Sequence, residues 1–184
     1  MKKSIIAAGA ASVALAAMPI VGAFALTSVT DTINATVGAG CTISDSTDHN
    51  VTISVTPGST ATSTAAESIT VVCNSNAWNV TAVGATVGDD NTALYSGENA
   101  IATGTATSGT TSNWAFKIDS ATNAAISTGY NAWAEIPDTA TNVVDGSAAA
   151  TSVVTTQSQV YAASGQASGT YTGKVTYTVT PLAS

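Results

Sequence analysis

Along residues 29–37 the chain alternates, with Val29, Ile33, Ala35 and Val37 on odd positions and Thr30, Thr32, Asn34 and Thr36 on even ones. A two-residue period is that of a strand with one face buried. The same pattern returns in Val51, Ile53 and Val55, in residues 68–73, in residues 78–83, and in Trp114, Phe116 and Ile118 set against Lys117. It is clearest near the end, where Tyr171, Val175, Tyr177 and Val179 share a face, interrupted by Gly173 where a backbone or a bulky ring comes close. Further strands are expected over residues 130–136, centred on Trp133, and over residues 153–162. Gly38-Ala39-Gly40, Pro57-Gly58, Asn74-Ser75-Asn76 and Pro137-Asp138 punctuate these runs as turns or strand ends, and residues 46–50 read as a polar turn. Residues 84–113, rich in Gly, Thr and Asn, read mostly as loop with one short strand near Leu94-Tyr95. Seven or eight short strands without a helical period after the leader predict an all-β fold, an antiparallel β-sandwich, with a closed barrel as the alternative. No fixed-period repeat points to a solenoid or propeller.

The first residues obey a different logic. Lys2 and Lys3 precede an uncharged, mostly apolar run over residues 5–24, and Ala23-Phe24-Ala25 offers a small-x-small cleavage site. This is the layout of a secretory signal peptide over residues 1–25, followed by a single domain over 26–184 with an N-terminal strand extension at 27–38. Retention of the leader as a membrane helix is the alternative, since the run is close to spanning length. A secreted chain meets oxidising conditions, so Cys41 and Cys73, its two cysteines, are expected to pair. Such a crosslink would contribute roughly 3 to 4 kcal/mol by chain entropy. Two buried free thiols are the other reading.

Charge narrows the partners. The net charge is −7, only 8% of residues are charged, there is no arginine, and cleavage would leave Lys117 and Lys174 against eleven acids. Binding to phosphate backbones or anionic membranes needs clustered Lys and Arg, so nucleic acid and membrane surfaces are excluded as expected partners of the mature chain. Solubility must come from hydroxyls and amides, which suit exposed strand faces and leave little repulsion between neighbouring copies.

The segment Ile33-Asn34-Ala35-Thr36-Val37-Gly38-Ala39-Gly40-Cys41-Thr42-Ile43-Ser44 resembles the opening of mature fimbrial (pilin-like) subunits and of the spore coat protein U group. There, an alternating strand leads into a first cysteine followed by Thr-Ile/Val-Ser. Cys73, ending Ile69-Thr70-Val71-Val72-Cys73, resembles their second cysteine, and residues 169–179 resemble their final strand. Similar endings occur in uncharacterised secreted bacterial proteins. The resemblance covers both ends of the mature chain and hardly touches residues 84–165. It implies that the sandwich is immunoglobulin-like and has a structural role, in which an incomplete sandwich accepts a neighbour's N-terminal strand. The residues matching that strand are Val29, Ile33, Ala35 and Val37, while Asp31 on the same face departs from a wholly apolar donor.

Chemistry is sparse. His49 is the one histidine, so neither a hydrolytic triad nor a His-based metal site is supported. Asp45, Asp48 and Asn50, and Asp89, Asp90 and Asn91, carry oxygen ligands but match no calcium-loop spacing and read as turn formers. Asp119, Glu135, Asp138 and Asp145 are scattered among loops and identify no glycosidase pair. The sequons at Asn34, Asn50 and Asn79 lie in expected strands of a bacterial-looking chain and read as chance matches. Trp78, Trp114 and Trp133 supply either core rings or a carbohydrate-stacking platform. The expectation is therefore a secreted, non-catalytic cell-surface subunit without cofactor or metal, structural or adhesive, self-associating or binding other surface proteins. A glycan- or host-ligand-binding module is the alternative, and a secreted hydrolase ranks third.

Overall fold

A computed structural model describes residues 38–44, 48–62, 67–85, 88, 90–105 and 109–182, with no side-chain description at 48–52. All of these fall in one compact unit, Val37–Ser184. The described residues form twelve strands and no helix. These are β1 (Cys41–Ser44), β2 (Asp48–Val55), β3 (Ser59–Thr62), β4 (Glu67–Cys73), β5 (Trp78–Ala85) and β6 (Leu94–Ser96). They continue with β7 (Asn99–Thr103), β8 (Asn113–Ala121), β9 (Ala125–Ile126), β10 (Thr141–Gly146), β11 (Ala150–Ala162) and β12 (Gly169–Pro181).

The strands join in the order β1-β4-β11-β8-β7-β6-β12-β5-β10-β9, with β3 added on β11 and β2 on β12. Two long strands organise this network. β11 takes β4 along residues 150–156, β3 along residues 159–162 and β8 along residues 154–161. β12 takes β2 along residues 169–176 and β5 along residues 174–181. The short β6–β7 hairpin links the two sets, because β6 touches β12 at Tyr95–Thr172 and β7 runs beside β8.

Alternation decides what is inside. In β5, Trp78, Val80 and Ala82 are buried while Asn79, Thr81 and Val83 are half-buried; in β12, Tyr171, Val175 and Tyr177 are buried and the threonines between them face outward. These side chains share one core with Ile69 and Val71 of β4 and with Trp114, Phe116 and Ile118 of β8. Gly173 fills the interrupted position in β12 as expected of a close approach. A Cβ there would lie 2.3 Å from Leu94 Cδ2 and 3.3 Å from Trp114 Cζ2.

Four expectations are corrected. The pairing is not wholly antiparallel, since β7 and β8 run parallel and the sheet is mixed. Residues 84–113 hold two short strands, β6 and β7, where one was expected. Residues 130–136 form no strand and make a single bridge, Phe116 to Ala134. Their backbone instead caps β8, with the Ile118 N–H donating to Tyr130 O at 2.7 Å and the Phe116 N–H to Ala134 O at 3.0 Å. Finally, residues 48–50 belong to β2 and not to a turn, because the β12 edge extends the ladder to Asp48 opposite Thr176.

One buried hydroxyl carries a pH signature. Tyr177 is 1% exposed, and burial pushes its phenol well above the ordinary range, opposed by a hydrogen bond with Thr156. Thr156 lies on β11, so this bond ties together two strands that are not ladder neighbours. A raised folded-state pKa means that stability is unaffected below the unfolded-state value of about 10 and declines as pH rises beyond it. Alkaline titration followed by circular dichroism should show weakening that starts near pH 10, and Tyr177→Phe should flatten that limb.

Candidate interaction surface

The region where both ends of the folded unit meet is built around one turn. Pairing of β1 with β4 sets Cys41 opposite Cys73, and the two are joined by a disulfide. The next residue, Asn74, continues the fastening. Its N–H donates to Gly40 O at 3.1 Å, its Oδ1 accepts from the Gly40 N–H at 2.6 Å, and its Nδ2 donates to Gly38 O at 3.0 Å. Ser75 Oγ donates to Leu182 O at 3.1 Å, and the Leu182 N–H donates to Ala77 O at 2.9 Å. Residues 74–77 thus hold the start of β1 and the end of β12 at one pole. Short side chains explain the arrangement, since Asn and Ser bond nearby backbone more readily than they extend a ladder.

Beside this turn the apolar face thins. Tyr171, Val175 and Tyr177 are at most 1% exposed, whereas Val179, next on the same face, is only half-buried, as are Cys41 and Ile43 of β1. On the edge of β12 away from β5, β2 reaches only Thr176, and among the described residues no strand pairs with residues 178–181 there. Leu182 is 39% exposed. The residues expected to be exchanged, Val29, Ile33, Ala35 and Val37, lie outside the described residues, as does the leader.

The remaining candidates separate. Trp78 and Trp114 are 0% and 1% exposed, with indole N–H groups donating to Ala148 O at 2.9 Å and Thr92 O at 2.6 Å. They are core rings, so no three-indole stacking platform exists. Trp133 is half-buried, and Lys117 Nζ sits 5.2 Å from its ring centroid while also pairing with Asp119 at 2.6 Å. This half-exposed ion pair is worth about 1 kcal/mol or less.

The acidic and amide residues act as local staples. Asp90 accepts from the Thr92 N–H and hydroxyl at 2.8 and 2.9 Å. Asn91 Nδ2 donates to Gly84 O at 3.3 Å and to Asp138 O at 3.2 Å. Asp145 accepts from Ser127 Oγ and Asn142 Nδ2 at 2.8 and 2.6 Å. No group of three or more potential metal ligands of the His, Cys, Asp and Glu type occurs among the described residues. Asp45 and Asp89 lie outside them, and the side chains of Asp48, His49 and Asn50 are undescribed.

Sequence reasoning missed Asn74, whose role depends on β1 and β4 meeting across a long separation. It also missed the half-covered face at Val179. A polar residue directly following a bridged cysteine was the available signal for the first, and the fall from Tyr177 to Val179 at the end of the final strand for the second. No protein-family model, no curated protein and no solved structure matches this chain.

Proposed function

We propose that this chain is a secreted, non-catalytic structural or adhesive subunit of the cell surface. In this reading the two strand sets close as an immunoglobulin-like sandwich, and copies associate by β-strand addition, with residues 29–37 as the exchanged segment. The observation that carries it is the edge of β12 at residues 178–181. Strand addition needs backbone groups available for pairing and an apolar face for the incoming side chains. Both are supplied where Val179, Ile43 and Cys41 are only half-buried beside that edge. The alternating residues 29–37 offer a strand of matching period, although Asp31 would have to sit at the rim. The disulfide is compatible with an extracellular setting.

The test compares the secreted protein, residues 26–184, with a version lacking residues 26–38. Size-exclusion chromatography with light scattering should detect concentration-dependent larger species in the first and monomer alone in the second. Monomer in both, up to the solubility limit, overturns the proposal.

A further inference from the structure

β1 is the most lightly held strand at the pole fastened by residues 74–77. Among the described residues it pairs with β4 alone, through four register pairs from Cys41–Cys73 to Ser44–Thr70. Its outward residues Thr42 and Ser44 are exposed and its inward residues Cys41 and Ile43 only half-buried, so it contributes little to the core. β4 is anchored differently. It carries the fully buried Ile69 and Val71 and pairs with β11 over seven residues, from Ala150–Cys73 to Thr156–Glu67. Loss of β1 would therefore leave β4 in place. Besides its short ladder to β4 and its approach to β12, β1 is attached by the covalent bond at one end, with the Asn74 hydrogen bonds just beyond it.

We infer that the Cys41–Cys73 disulfide is a redox-controlled fastener for β1. Its reduction by a dithiol frees residues 38–44 from the edge of β4 while the rest of the strand network stays folded. In the step, a dithiol thiolate attacks one cystine sulfur and the S–S bond breaks. The dithiol's second sulfur then closes a cyclic disulfide, leaving thiols on Cys41 and Cys73 and two electrons transferred from the dithiol. Local opening at a strand that buries little costs much less than global unfolding. The released state uncovers the backbone of β4, an edge able to pair with another strand. This concerns β4 and not β12, so it stands whether or not copies exchange residues 29–37.

Hydrogen exchange of the intact secreted protein, resolved by NMR with and without dithiothreitol, tests it. Because the Asn74 N–H bonds Gly40 O, ladder alternation makes Thr42–Val72 and Ser44–Thr70 the pairs that exchange backbone hydrogen bonds. On reduction the amides of Thr42, Ser44, Thr70 and Val72 should come to exchange at least about a hundredfold faster than the central amides of β5 and β12, because β1 then opens alone. Central amides of β5 and β12 should lose no more than the several hundredfold to which the crosslink's chain-entropy contribution converts, and stay protected. The C41S/C73S double variant without reductant should reproduce the pattern, and Asn74→Ala should accelerate exchange in β1 further in the reduced protein. Unchanged protection at Thr42 and Ser44 after verified reduction would mean that the ladder holds β1 unaided. Protection in β5 and β12 falling to the level of β1 would mean that the crosslink holds the whole fold. Either result overturns the inference.

Discussion

Gly146→Ala should be among the most destabilising single-methyl substitutions in this chain, costing about 3 kcal/mol or more, beyond the usual range for overpacking. A Cβ at position 146 would lie 1.9 Å from Trp78 Cε2 and 2.3 Å from its Cζ2 and Nε1. The ring cannot simply yield. Trp78 is completely buried, its N–H is bonded to Ala148 O, and its own backbone is the register partner of Gly146. Gly146 therefore acts as the floor on which the indole lies. Gly173→Ala makes a useful comparison, since its nearest obstacle is the tip of the Leu94 side chain at 2.3 Å, which can change rotamer. Gly165→Ala, with nothing within 4 Å of the new methyl, serves as the neutral reference. Urea unfolding should rank the midpoints Gly165→Ala, Gly173→Ala and Gly146→Ala in descending order. A Gly146→Ala midpoint equal to that of Gly165→Ala would show that the ring moves aside freely.

Strict and broken apolar periods separate the strands that are legible in the sequence from those that are not. β4, β5 and β12 were legible because a two-residue apolar period runs through each, and each has a partner strand on both sides along at least part of its length. β10 was not foreseen. A bulge between Asn142 and Val144 turns both Val143 and Val144 inward, which erases the alternation. β3 is four small residues long and owes its conformation to the β11 edge more than to its own composition. Residues 130–136 failed in the opposite sense. Tyr130 and Ile136 are placed by contact with the core, Tyr130 against Phe116 with ring centroids 5.5 Å apart, while the backbone between them follows β8 without forming a ladder. The interaction surface was legible only where covalent chemistry marked it. Cys41 and Cys73 announced a link, but the Asn74 bonds and the half-covered Val179 arise from contacts between residues far apart in sequence.

The tryptophans give the second large expected effect. Trp114→Ala should cost roughly 3 to 5 kcal/mol, the range for truncating a buried aromatic side chain. The ring is 1% exposed, it lies against the gap left by Gly173, and its N–H satisfies Thr92 O in a buried hydrogen bond. Alanine there opens a cavity between β8 and β12 and leaves a buried carbonyl without its donor, so the two penalties add. Trp133→Ala should behave differently, losing about 1 kcal/mol or less, because a half-exposed indole under the Lys117 ammonium contributes a surface cation–π contact and modest packing. Thermal unfolding of both variants checks the ordering. The pair also bears on function: if the glycan-binding alternative held, Trp133 is the one indole positioned to serve it, and Trp133→Ala would abolish glycan-induced fluorescence changes while leaving the melting temperature nearly unchanged. A wild-type protein whose fluorescence ignores glycans, together with a Trp114→Ala variant that melts far below Trp133→Ala, assigns the aromatic side chains to holding the strands together.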